Sequence, residues 1–136
     1  MPRLILILAL LLPTSAYAEL EISEAWIKNL PPPVPVRTGY MTIYNPQSRA
    51  LSIVEIHSDS FASVEIHKTL MQDGMMRMEQ VVALKIAAGE TVQLAPGGLH
   101  LMMMQPVQPT RPGEIHRITI EYDDGSTQEL EMTVRK

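Results

Sequence analysis

Histidine and methionine crowd into two short stretches of the chain: His67, Met71, Met75, Met76 and Met78 in the first, and His100, Met102, Met103 and Met104 in the second. Imidazole nitrogen and thioether sulfur together make a soft, neutral donor set. Thioethers bind hard ions such as Ca²⁺, Mg²⁺ or Mn²⁺ poorly, and Zn²⁺ normally takes thiolate or carboxylate beside histidine, so the pairing points to reduced copper, Cu(I). The 136 residues contain no cysteine. That excludes thiol redox catalysis, Cys-based zinc sites and the His-Cys-Met centre of blue-copper electron carriers.

Donors so far apart in sequence must be brought together by the fold. From Glu19 onward the chain is a series of short alternating segments separated by Pro, Gly, Asn and Asp, the period-two pattern of half-buried strands. The pattern predicts nine strands: Leu20 to Lys28, Thr38 to Tyr44, Leu51 to His57, Ser63 to Leu70, Met75 to Val82, Thr91 to Ala95, Leu99 to Gln105, Glu114 to Tyr122 and Thr127 to Arg135. No long helical stripe interrupts them. The fold expected is all-β, two antiparallel sheets packed face to face with Greek-key links, as a sandwich or flattened barrel. Asp73-Gly74 and Asp124-Gly125 suit tight hairpins, Asn45-Pro46 favours a turn, and Pro96-Gly97-Gly98 breaks the chain just before His100. Leu30 to Val36, with four prolines, is expected to run as an extended polyproline-like loop.

A two-residue loop at Asp73-Gly74 would set Gln72 against Met75, Thr69 against Met78 and His67 against Gln80. His67, Thr69, Met71, Met76, Met78 and Gln80 would then share a face, with His67 and Met78 as diagonal neighbours about 7–8 Å apart. His100 and Met102, at i and i+2, share a face of their own strand, and Leu101 and Met103 point the other way. The tetrapeptide Val-Glu-Ile-His occurs at 54–57 and again at 64–67, but only the second copy leads into methionines. His57 and His116 are therefore expected on the surface, away from metal. Met71, Met75 and Met76 are open to either packing or binding, Met103 and Met104 to core or rim, and Trp26 to packing on the first strand. Glu65 is either an orienting partner for His67 or a solvated carboxylate.

His67, Met78, His100 and Met102 together fall at the spacing H-x10-M-x21-H-x-M. With Val64-Glu65-Ile66-His67, Met71-Gln72-Asp73-Gly74, Met76-Arg77-Met78 and Pro96-Gly97-Gly98-Leu99-His100-Leu101-Met102, the chain resembles the PCuAC family of periplasmic copper chaperones over most of its length. The resemblance implies a cupredoxin-like β-sandwich or barrel with one Cu(I) per chain, held near the surface by those four residues. It also implies delivery of copper to a respiratory cytochrome c oxidase, commonly at its CuA centre. The expected partner is thus a copper-accepting oxidase subunit or another copper chaperone. Some members of that family carry a His/Met-rich C-terminal extension with a second copper. The ending Val134-Arg135-Lys136 offers no such site.

Residues 1–18 have the layout of a secretory signal peptide: Arg3, an apolar run from Leu4 to Leu12, and small residues at Ala16 and Ala18. Cleavage after Ala18 would leave a single periplasmic domain, residues 19–136, with no stable membrane insertion and no cysteine to take a lipid. The ten basic and fifteen acidic residues that remain give a net charge of −5, which disfavours nucleic acid as a partner. Nor is an enzyme expected, because no Ser-His-Asp arrangement, paired catalytic carboxylates or phosphate-binding glycine loop is legible. The rival readings are a periplasmic copper buffer serving tolerance and an exported structural β-sandwich.

Overall fold

A computed structural model describes residues 19–136; the signal peptide expected over 1–18 lies outside the described residues. Ten strands form: β1 Glu21–Lys28, β2 Val36–Tyr44, β3 Leu51–His57, β4 Phe61–Gln72, β5 Met75–Gln80, β6 Leu84–Ile86, β7 Thr91–Leu94, β8 Leu99–Pro106, β9 Ile115–Tyr122 and β10 Thr127–Arg135. All nine expected strands appear, and no helix is found among the described residues. The additional β6 buries Leu84 and Ile86 around exposed Lys85, too short a run to stand out as a period-two signal.

The sheet runs β5-β4-β8-β2-β1-β10-β9-β3-β6, and a bridge between Ile56 on β3 and Val64 on β4 joins the strands next to its two ends. The result is one closed barrel of seven strands, with β5, β6 and β7 as side branches, rather than two separate sheets. Two irregularities accompany the closure, at Ser23/Trp26 in β1 and at Ile53/Glu55 in β3. A bulge of this kind bends a strand and increases its twist, which lets a sheet curl. One pairing, β1 with β10, is parallel; the others are antiparallel.

Alternation sorts the side chains as the barrel requires. Leu101 and Met103 on β8, Ile118 and Ile120 on β9, and Met132 and Val134 on β10 point inward and are buried. Gly39 on β2 lies opposite Leu101 because the space beside it is taken: a Cβ there would stand 3.1 Å from Met132 Cε and 3.2 Å from Leu101 Cβ. Thus the strand that carries His100 and Met102 on its outer face is fixed from behind by tight packing.

The proline-rich segment differs from expectation. It turns back, with Val34 N donating to Pro31 O, instead of running extended. The cause lies in Arg37, which is buried and must satisfy its guanidinium. Its Nη1 donates to the carbonyls of Val34 and Val36, and its Nε donates to Thr110 Oγ1. A folded-back loop supplies these acceptors.

Candidate metal centre

The Asp73-Gly74 loop closes β4 and β5 in the register its sequence predicts. Both residues have positive φ, 52° and 73°, as a type I′ turn demands. Thr69 then faces Met78 and His67 faces Gln80. On its other side β4 pairs with β8, where His67 stands directly opposite His100 and Glu65 opposite Met102. Since Val64 and Ile66 are in the core, the alternate residues Glu65, His67 and Thr69 face outward. His100 and Met102 join them on the outer face of β8, opposite in sense to Leu101 and Met103. The fold therefore gathers His67, His100 and Met102 on two adjacent strands, with Met78 on the next strand outward.

The two imidazole rings are 6.1 Å apart between centroids. Two imidazoles that share one ion, with metal–nitrogen bonds of about 2.0 Å, span roughly the same distance. Each ring has one nitrogen engaged. His100 Nδ1 is 2.9 Å from the carbonyl of Gly98, an acceptor only, so that nitrogen carries the proton and Nε2 carries the lone pair. His67 Nε2 lies 2.7 Å from Glu65 Oε2 and donates to the carboxylate, leaving the lone pair on Nδ1. Among the described residues, the buried side-chain nitrogen or oxygen atoms without a hydrogen-bond partner are His67 Nδ1 and His100 Nε2. A buried polar atom left alone costs about 1–3 kcal/mol. Two such atoms, one on each of the facing rings, are free to take a shared electrophile such as a metal ion.

The donors differ in accessibility. His100 is 4 % exposed, whereas Met78 is 55 % exposed. No group of three or more His, Cys, Asp or Glu side chains that could hold a metal exists among the described residues. The thioethers of Met102 on β8 and Met78 on β5 belong to the same outer face as the two histidines.

The other two histidines are placed elsewhere. His116 has both nitrogens occupied, Nδ1 by Ser60 Oγ at 2.8 Å and Nε2 by Glu114 Oε2 at 3.0 Å. His57 is exposed at the end of β3. Met103 is core, Met104 is half-buried, and Met71, Met75 and Met76 are exposed. Trp26 packs on Tyr40, with ring centroids 4.9 Å apart.

Two further residues, Glu65 and Gly98, hold the facing rings in place and have only weak signals in the sequence. Glu65 is the partner of His67 after all, because i and i+2 on a strand share a face. The sequence signal for Gly98 is the Pro96-Gly97-Gly98 break just before His100. Gly98 N donates to Ala95 O, and Gly97 has φ 86°, so Pro and Gly occupy the central positions of a type II turn. That turn sets the Gly98 carbonyl under His100.

A family model, LpqE-like, matches residues 20–134. The chain belongs to the LpqE-like family. The family description and the name of one relative both contain the word lipoprotein. That relative, Lxx21020 of Leifsonia xyli subsp. xyli, is 29 % identical over 116 residues, 85 % of this LpqE-like chain and 69 % of its own length. RP573 of Rickettsia prowazekii is 30 % identical over 92 residues, 67 % of this chain and half of its own. In fold, the LpqE-like chain is similar to the copper-bound PCuAC domain from PmoF2, with a TM-score of 0.72 at 18 % identity, covering 85 % of this chain and 92 % of that one. It is also similar to the solution structure of CuI-DR1885 from Deinococcus radiodurans, with a TM-score of 0.68 at 30 % identity over 82 % of this chain and 75 % of that one. The cupredoxin-like barrel of the PCuAC domains is thus the fold of this LpqE-like protein.

Proposed function

We propose that residues 19–136 form an exported copper-binding domain that holds one Cu(I) between His67 Nδ1 and His100 Nε2, with Met78 and Met102 as thioether ligands. The observation that carries this reading is the pair of facing imidazoles whose Nδ1 on His67 and Nε2 on His100 are, among the described residues, the buried side-chain nitrogen or oxygen atoms without a partner. The solved relatives support it: DR1885, 30 % identical, is a protein determined with Cu(I).

The site is built for binding rather than catalysis. All four donors are neutral, so the bound ion keeps its single positive charge and no thiolate retains it. Exposed Met78 is the ligand a partner can displace first, and buried His100 the last. Stepwise exchange of this kind suits a chaperone that passes copper, in the periplasm, to a respiratory cytochrome c oxidase subunit with a CuA-type centre or to another copper chaperone. The lipoprotein descriptions of the relatives accord with export, although the 136 residues hold no cysteine to carry a lipid.

Anaerobic competition between the domain and a Cu(I) chelator tests the binding. Wild type should retain one ion per chain and the double variant His67→Ala/His100→Ala should lose it. Equal retention by the two proteins would refute the assignment.

A further inference from the structure

Methionine has two fates in this barrel. Met41, Met103 and Met132 are core residues, at most 2 % exposed, whereas Met71 and Met76 at the tip of the β4–β5 hairpin are each 69 % exposed. Packing therefore accounts for the first group and not for the second. Met71 stands directly opposite Met76 in the ladder. The pair that closes the two-residue loop, Gln72 with Met75, is the hydrogen-bonded kind, so Met71 and Met76 occupy the next, non-hydrogen-bonded position. There side chains approach most closely, with Cβ atoms about 4.5–5.5 Å apart, and two flexible thioether arms can converge on one ion.

Met78 follows Met76 by two residues and so lies on the same face, one step nearer His67. The cationic side chains of the hairpin are on the other face: Lys68 pairs with Glu79 at 3.4 Å, and Arg77 Nη1 donates to Gln72 Oε1 at 3.0 Å. A row of sulfurs, clear of ammonium and guanidinium groups, leads from the hairpin tip to the two imidazoles.

We propose that Met71 and Met76, with Met78, form a second, weaker Cu(I) station through which the ion enters and leaves the histidine site. This rests on the Cu(I) reading above. Transfer is ligand exchange alone: Met78 is common to both stations, copper stays monovalent, and no proton or electron moves. An all-thioether set binds only soft ions and, lacking imidazole, binds them less firmly than the mixed site.

The test is anaerobic Cu(I) titration of residues 19–136 labelled with ¹³C at the methionine methyls, followed by NMR. The first equivalent should shift Met78 and Met102, and the second, held by the Met71–Met76 pair while Met78 serves the histidine site, should shift Met71 and Met76. Met75, on the opposite face, should stay still throughout. Met71→Leu/Met76→Leu should abolish the second response and keep the first, with its thermal unfolding unchanged. In His67→Ala/His100→Ala the Met71 and Met76 response should persist at the first equivalent. If the second equivalent leaves Met71 and Met76 unshifted, or moves Met75 equally, the station does not exist. A first equivalent that ignores Met78 and Met102 overturns the histidine site instead, and the double histidine variant still decides the station.

Discussion

His67 and His100 face each other across the β4–β8 ladder, and each is turned by a different anchor so that the nitrogens left bare are Nδ1 on one ring and Nε2 on the other. A carboxylate holds the first ring and a backbone carbonyl the second. Side-chain substitution can remove only the carboxylate. Partners of this kind fix the tautomer and orientation of a ligand, and their loss typically costs 10–100-fold in metal affinity. Glu65→Gln should therefore weaken Cu(I) binding by about that factor while all four ligands remain, as measured by chelator competition.

Tight packing behind the site gives a second expectation. Gly39→Ala would drive a methyl group against Met132, Leu101 and Met103, the last through Sδ at 3.2 Å. Overpacking of this sort costs about 1–3 kcal/mol. Urea denaturation should show a lower midpoint with an unchanged slope, and copper binding should weaken only where the fold does.

Alkaline stability should depend on one phenol. Burial pushes Tyr122 up to about 12, and its hydroxyl donates to Gln128 Oε1, which also accepts from Leu20 N. Because the unfolded chain releases this proton near pH 10 and the native chain near pH 12, the unfolded state binds fewer protons between them. Stability should be fully present below pH 10 and fall as pH rises toward 12, by roughly 2 to 3 kcal/mol. Tyr122→Phe should flatten that part of the curve in denaturant titrations at stepped pH.

A cell can distinguish delivery from storage. Deleting the gene should lower cytochrome c oxidase activity when copper is scarce and leave it normal when copper is plentiful. Normal activity in scarce copper, with greater sensitivity to added copper, would favour the buffering role.

Period-two alternation placed the nine longer strands, and the Asp73-Gly74 dipeptide set the hairpin register, because both signals are local. Closure of the barrel was not legible. It depends on one bridge between Ile56 and Val64 and on bulges in β1 and β3, where the chain breaks its own alternation. The β4–β8 partnership that unites His67 with His100 was likewise invisible, since strand pairing across more than thirty residues leaves no mark in either segment. Spacing singled out four candidate donors, His67, Met78, His100 and Met102, without revealing that two of them would meet through a shared ladder. The proline loop was misjudged because its conformation is dictated by buried Arg37, a tertiary demand that overrides local preference.

X-ray absorption at the copper edge of Cu(I)-loaded residues 19–136 counts the neighbours of the ion directly. Two nitrogens and two sulfurs should surround it, with one sulfur lost in Met102→Leu and one nitrogen lost in His100→Ala. A shell of nitrogen and oxygen without sulfur, unchanged by either substitution, would contradict the site.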